Sequence, residues 1–133
     1  NLINNISEKG VSINVTAMMT LEQVKSVLHG LSNGPGGYVS VFAGRIADAG
    51  QDPLPIMSEV VEILQNHTNV ELIWASPREL YNVVQADSIG CHIITATNNI
   101  LKKLPTLGKD LTQFSLETVK MFYDDATQAG YSI

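Results

Sequence analysis

The sequence predicts an α/β protein in which four parallel strands each lead into a helix. Short apolar, β-branched runs at 11–16, 38–43, 70–75 and 91–96 alternate with longer segments whose apolar residues recur at helical spacing. Helix-start chemistry follows the runs: Thr20 with Gln23, Asp52 with Pro53, Ser76 with Pro77. Strands that alternate with helices pair in parallel through right-handed crossovers, and no linker or low-complexity tract interrupts the alternation. A chain of 133 residues fits one domain with a real core.

The elements follow in order. Residues 1–9 read as the end of a helix, with Leu2, Ile3 and Ile6 on its apolar side and Gly10 as its stop. A chain that opens on the end of an element is expected to have lost what preceded it. Residues 11–16 (Val-Ser-Ile-Asn-Val-Thr) alternate apolar and polar and predict the first strand. Thr20 then caps a helix carrying Leu21, Val24, Val27, Leu28 and Leu31, with Gln23 at the reciprocal position of a capping box. Residues 32–37 (Ser-Asn-Gly-Pro-Gly-Gly) form a turn, and the second strand runs to about Ala43. Asp52 and Pro53 start a helix with Ile56, Val60, Ile63 and Leu64 inward, and residues 70–75 are the third strand. Ser76-Pro77-Arg78-Glu79 matches a capping box with proline at N1, ahead of inward Leu80, Val83 and Val84. Residues 91–96 predict the fourth strand. Thr97 or Asn98 caps a short helix ending before Pro105, and a last helix runs from about Ser115 to Gly130, with Leu116, Val119, Phe122 and Tyr123 on one side. Four such units amount to about half of a (β/α)8 barrel of ~250 residues; a free-standing four-stranded sheet satisfies the same pattern.

Composition excludes several function classes. Net charge is −5 and the lysines are scattered, so neither nucleic acid nor a membrane surface is an expected partner. No apolar run approaches the length of a bilayer span. The single cysteine, Cys91, cannot form an internal disulfide and suits a reducing cytosol. No His, Cys or carboxylate pair has metal-ligand spacing, so no metal is expected. Gly34-Pro35-Gly36-Gly37 precedes a strand instead of following one, which is wrong for a nucleotide-phosphate loop.

The informative residues lie at the strand exits. The chain holds two arginines, Arg45 and Arg78, and each follows a predicted strand. In α/β proteins ligands bind at the carboxyl ends of the strands, where helix N-termini also open. A guanidinium there offers a planar donor fork suited to phosphate, so Arg45, Ser76 and Arg78 form a candidate phosphate site. Asn14 and Thr16 are two apart on the first strand and share a face; they either orient a substrate hydroxyl or water, or only satisfy backbone groups. Ser40 and Phe42, also two apart, are expected on that same side. Cys91 reads as a small core residue and His92 as structural.

In order, Asn14-Val15-Thr16, then residues 38–48 (Tyr-Val-Ser-Val-Phe-Ala-Gly-Arg-Ile-Ala-Asp), then Ala75-Ser76-Pro77-Arg78 closely resemble the second half of the transaldolase and fructose-6-phosphate aldolase family, over essentially the whole chain. The resemblance implies a parallel (βα)4 half of a TIM (β/α)8 barrel, a single domain at residues 1–133 made of the end of the fourth helix and units five to eight. It implies transfer of a dihydroxyacetone unit between sugar phosphates such as fructose 6-phosphate, through a lysine Schiff base and with no cofactor. By motif match, Arg45, Ser76 and Arg78 bind phosphate, Asn14 and Thr16 flank the reactive carbon and its water, and Ser40 lines the pocket. Phe42 stands where fructose-6-phosphate aldolases carry a proton-transferring tyrosine, which favours transaldolase. Val41 replaces a usual proline and Ala43 a usual valine. The family's lysine lies on strand four, and its catalytic aspartate and glutamate on strands one and three, all before this chain. Lys9, Lys25, Lys102, Lys103, Lys109 and Lys120 fall in helices or loops, so the chain alone is expected to be inactive. A non-catalytic sugar-phosphate-binding half-barrel is the alternative. Open edges at the first and fourth strands imply a homodimer or higher homo-oligomer that covers them.

Overall fold

A computed structural model describes residues 2–131; Asn1, placed above in the opening helix, lies outside them. The chain divides into two compact units, residues 1–101 and residues 102–133. The first contains α1 (Leu2–Ser7), β1 (Ile13–Met18), α2 (Leu21–Ser32), β2 (Gly37–Val41), α3 (Ala43–Asp48), α4 (Leu54–Leu64), β3 (Val70–Trp74), α5 (Tyr81–Ser88), β4 (Ile93–Ile94) and α6 (Asn98–Leu101). The strands form one parallel sheet in the order β1-β2-β3-β4. This is the (βα)4 arrangement of half a TIM barrel.

Register separates the two faces of the sheet. Val15, Val39 and Leu72 are aligned across the strands, as are Val41, Trp74 and Ile94. Val39, Val41, Leu72 and Trp74 are fully buried in one core with Val24, Leu28 and Leu31 of α2 and Met57, Val60 and Leu64 of α4. Thr20 caps α2 as its chemistry predicts: its side chain accepts from the Gln23 N–H (3.3 Å), while Gln23 Oε1 accepts from the Thr20 N–H (3.1 Å). The alternate positions, Asn14, Tyr38, Ser40, Glu71, Ile73 and Ile93, make up the other face. They mix polar and apolar side chains, and Ser40 alone among them is buried.

Several boundaries differ from the sequence expectation. β1 starts at Ile13 and not at Val11, because its partner β2 begins at Gly37 and the turn before it offers Val11 and Ser12 nothing to pair with. β2 stops at Val41, and the chain enters α3 where a continuing strand was expected. α4 begins at Leu54 with Pro53 just before it; Asp52 still serves the helix start, its Oδ1 accepting from the Leu54 N–H at 2.9 Å. β4 shrinks to two residues because side chains take over the edge of β3. His92 Nδ1 accepts from the Leu72 N–H (3.1 Å), and the Cys91 thiol donates to the Leu72 carbonyl (3.6 Å). The Leu72 N–H is the group a longer β4 would have paired. On α5, Val84 is exposed and Ala86 takes the buried position. Thr97 serves α6, its Oγ1 accepting from the Ile100 N–H.

The second unit holds a short 3-10 turn, Leu104–Thr106, and α7 (Leu111–Gln128). α7 starts four residues before the expected Ser115, since Asp110 caps it by accepting from the Gln113 N–H at 2.8 Å. Its predicted apolar side, Leu116, Val119, Phe122 and Tyr123, is exposed. Among the described residues no helix is long and apolar enough to cross a membrane.

Candidate functional site

The carboxyl ends of the strands are stitched to one another beyond the sheet proper. Phe42 N–H donates to Met18 O (2.8 Å), Ala75 N–H to Val41 O (2.9 Å) and Thr95 N–H to Trp74 O (3.1 Å). Each exit loop is therefore tied to the end of the preceding strand. The arginines sit on two of these loops.

α3 begins immediately at the β2 exit, and this short helix carries Arg45 on its exposed side. Among the described residues the Arg45 guanidinium has no hydrogen-bond partner. It lines a cavity of about 180 Å³ with Met19, Thr20, Ile46, Ala49 and Gln51. Asp48 closes the same helix three residues on, a spacing that puts both side chains on one side.

The β3 exit differs from its sequence expectation. Ser76 does not cap a helix; its backbone is left-handed (φ 61°), and α5 begins only at Tyr81. The capping role falls to Asn82 from inside the helix, whose Oδ1 accepts from the N–H groups of Arg78 (2.7 Å) and Glu79 (3.1 Å). The left-handed turn lays the Ser76 carbonyl against Gly44, where a Cβ would overlap the oxygen. Gly44 N–H meets the Ala75 carbonyl at 3.5 Å on the same seam. Only a glycine lets the two loops come this close.

That approach brings the Arg78 side chain onto Asp48. Arg78 Nε donates to Asp48 Oδ1 at 3.0 Å and Nη2 to Oδ2, a two-pronged ion pair. The Arg78 hydrogen bond holds the Asp48 carboxyl below its ordinary value, with the charges of Arg78 and then Arg45 acting in the same direction. The hydrogen bond to Asp48 raises Arg78 further. Both arginines thus act on one carboxylate. Sequence reasoning assigned Asp48 no role, although an acid three residues beyond one of only two arginines was a usable signal.

The remaining candidates lie along the sheet. Ser40, 4% exposed, donates from Oγ to Asn14 Oδ1 at 2.7 Å. With its oxygen so engaged, the exposed Asn14 keeps its two amide hydrogens as donors. Thr16 is exposed at a β-bulge: Val15 pairs with Val39 but Met18 with Val41, and the extra residue, Ala17, has φ 62°. Such a bulge re-aims side chains at a strand end. Phe42 has left the sheet; it occupies the N-cap position of α3 (φ −82°, ψ 67°), so the two-residue alternation from Ser40 does not extend to it. The structure therefore joins Asn14 to Ser40, and Arg78 through Asp48 to the helix of Arg45, while Thr16, Phe42 and the Ser76 hydroxyl stand apart from both pairs. His92 and Cys91 serve the β3 edge, and burial raises the Cys91 thiol pKa. Among the described residues no three His, Cys, Asp or Glu side chains converge to hold a metal ion.

The family model for transaldolase/fructose-6-phosphate aldolase matches residues 1–133. A probable transaldolase of Thermoanaerobacter sp. (strain X514) is 32% identical over 132 residues, covering 98% of this chain and 57% of that protein. One of Nitrosopumilus maritimus (strain SCM1) is 33% identical over 114 residues, 84% of this chain and 49% of that protein. One of Geobacillus kaustophilus (strain HTA426) is 35% identical over 99 residues, 74% of this chain and 45% of that protein. The chain thus spans about half the length of the curated relatives it matches.

Proposed function

Because the chain belongs to the transaldolase/fructose-6-phosphate aldolase family, we propose that it forms the phosphate-binding half of a cytosolic site for sugar phosphates such as fructose 6-phosphate. The observation that carries this reading is that both arginines of the chain sit at strand exits and act on one carboxylate, Asp48. Arg78 does so by a two-pronged ion pair that uses two of its five N–H donors, and Arg45, without a hydrogen-bond partner among the described residues, by its charge. A phosphate dianion held there would leave the sugar to extend over the open face toward Asn14, Ser40 and Thr16. Asn14, whose oxygen is engaged by Ser40, would donate to a substrate hydroxyl, and Thr16 would orient water at the reactive carbon. Ser76 belongs to the phosphate end through its loop. Phe42 offers no ionisable proton, which favours dihydroxyacetone transfer over simple aldol cleavage.

The complete reaction needs an amine nucleophile in a desolvated setting. Among the described residues no lysine lies on β1–β4. Lys109 and Lys120, in the second unit, pair with Glu117 and Asp124. We therefore propose that these 133 residues bind the sugar phosphate without forming the Schiff base, and that the nucleophile comes from another half-barrel. The lack of a strand lysine equally supports a purely binding half-barrel, and both readings call for a two-fold dimer or larger assembly over the open strand edges.

Calorimetric titration with fructose 6-phosphate tests the phosphate site. Arg45→Ala and Arg78→Ala should each weaken binding by about ten- to hundred-fold, the loss of charge-assisted hydrogen bonds, and no change in either would refute it. Borohydride trapping with the same sugar phosphate tests the other claim: a covalent adduct on any of the six lysines would overturn it. A monomer in light scattering at micromolar concentration would contradict the assembly.

A further inference from the structure

We propose that Asp48 is a positioning residue for sugar-phosphate binding, holding the Arg78 guanidinium so that its end-on fork faces the anion. This rests on the phosphate reading above and adds to it a residue that contacts no substrate.

A flexible arginine on a loop is a poor anion ligand until it is ordered, because ordering its side chain costs rotamer freedom at the moment of binding. Arg78 is held at both ends before any ligand arrives. Its backbone N–H is fixed by Asn82 Oδ1 at 2.7 Å, and its head by Asp48 through Nε (3.0 Å) and Nη2. Asp48 occupies the side edge of the guanidinium, Nε with Nη2. The other edge, Nη1 with the second Nη2 hydrogen, has no partner among the described residues and is itself a two-pronged donor. A phosphate need not displace Asp48 to use it. Asp48 also ends the six-residue helix that carries Arg45, so one carboxylate registers the loop of one arginine to the helix of the other. Gly44 completes the arrangement, since a Cβ there would stand 3.1 Å from Arg78 Nε as well as overlapping the Ser76 carbonyl.

Charge alone predicts the opposite sign. An aspartate beside an anion site repels the ligand and draws on the cation that should bind it, so its removal would tighten phosphate binding. If positioning dominates, removal weakens binding, and does so only through Arg78.

The test is calorimetric titration of the 133-residue chain with fructose 6-phosphate, with fructose as the unphosphorylated control. The variants are Asp48→Ala, Asp48→Asn, Asp48→Glu, Arg45→Ala, Arg78→Ala and Asp48→Ala combined with Arg78→Ala. Asp48→Ala should weaken fructose 6-phosphate binding by about two- to ten-fold, the loss expected from having to order one long side chain. Asp48→Glu should recover part of it, and fructose binding should not move. In the Arg78→Ala background, Asp48→Ala should change affinity by less than about two-fold, a non-additivity that a general structural role would not produce. Asp48→Asn keeps shape and one acceptor, so it stands in if the alanine variant fails to fold, and it too should bind more weakly than the wild type. Unchanged or tighter binding in the Asp48 variants, with both arginine variants weakened, would overturn the positioning role and leave the phosphate site standing. An equal loss from Asp48→Ala with and without Arg78 would overturn it as well. Indifference to both arginine substitutions would remove the phosphate reading and this inference together.

Discussion

Replacing Gly44 by alanine should destabilise the first unit, although glycine-to-alanine in an ordinary helix stabilises by about 1 kcal/mol. Gly44 lies in α3, so helix propensity favours the change. The seam opposes it. The new methyl would overlap the Ser76 carbonyl oxygen and stand 2.8 Å from the carbonyl carbon. That oxygen is backbone and cannot rotate away, so the loop must retreat by roughly 1–2 Å to restore a normal non-bonded separation. Overpacking of this kind costs about 1–3 kcal/mol, and a backbone collision belongs at the upper end. Less the helix-propensity gain, the net loss is about 2 kcal/mol. Trp74, the sole tryptophan and fully buried, reports unfolding in urea through its emission. The expected result is a lower midpoint at an unchanged m value. Ala47→Gly, at an exposed position of the same helix, calibrates propensity alone at about 1 kcal/mol. A Gly44→Ala protein as stable as the wild type would refute the close approach, and with it the account of how Arg78 reaches Asp48.

Other consequences are open to measurement. Thr20→Ala removes the side-chain half of the α2 capping box and should cost about 0.5–2 kcal/mol in the same urea assay. His92→Ala leaves the Leu72 N–H without its acceptor at the β3 edge; hydrogen exchange should show faster exchange of that amide, with a stability loss of about 1–3 kcal/mol. The Asp48 carboxyl should titrate below the ordinary aspartate range by carbon-detected NMR and return toward it in Arg78→Ala. Because its folded-state pKa is depressed, whatever stability the pair contributes is complete above the unfolded-state value and disappears as the pH falls through the folded-state one.

The sequence made much of this legible because the main signals were local. The capping box at Thr20 and the inward face of α2 follow from spacing within a dozen residues and recur in the structure, as do Val60 and Leu64 of α4, where Met57 is buried and Ile56 and Ile63 are half-buried. The order of strands and helices follows from the same periodicities. What escaped notice depended on distant partners. α3 is six residues long, under two turns, with no side-chain cap, so neither periodicity nor capping marks it. Ser76-Pro77-Arg78-Glu79 has the composition of a capping box, yet the chain turns left-handed at Ser76 to lie over Gly44, and tertiary contact overrides the motif. Residues 91–96 have the composition of a six-residue strand, and nothing within them reveals that the His92 side chain will take the Leu72 N–H. Asp48 is 30 residues from its partner. Only the folded seam joins them.

The glycines around β2 bear on how this stretch could change its length. At its start, a methyl on Gly37 would overlap the Ile13 carbonyl, and one on Gly36 the Asn69 carbonyl; beyond its end, Gly44 abuts Ser76. The strand is clamped at both extremities by backbone from its two neighbours. A single residue inserted within β2 would turn the strand side chains that follow it to the opposite face and shift the start of α3, which carries Arg45. Gly50 and Gly90 have open space where a Cβ would project. Loops should lengthen there with little consequence, while the segment between the clamps keeps its residue count.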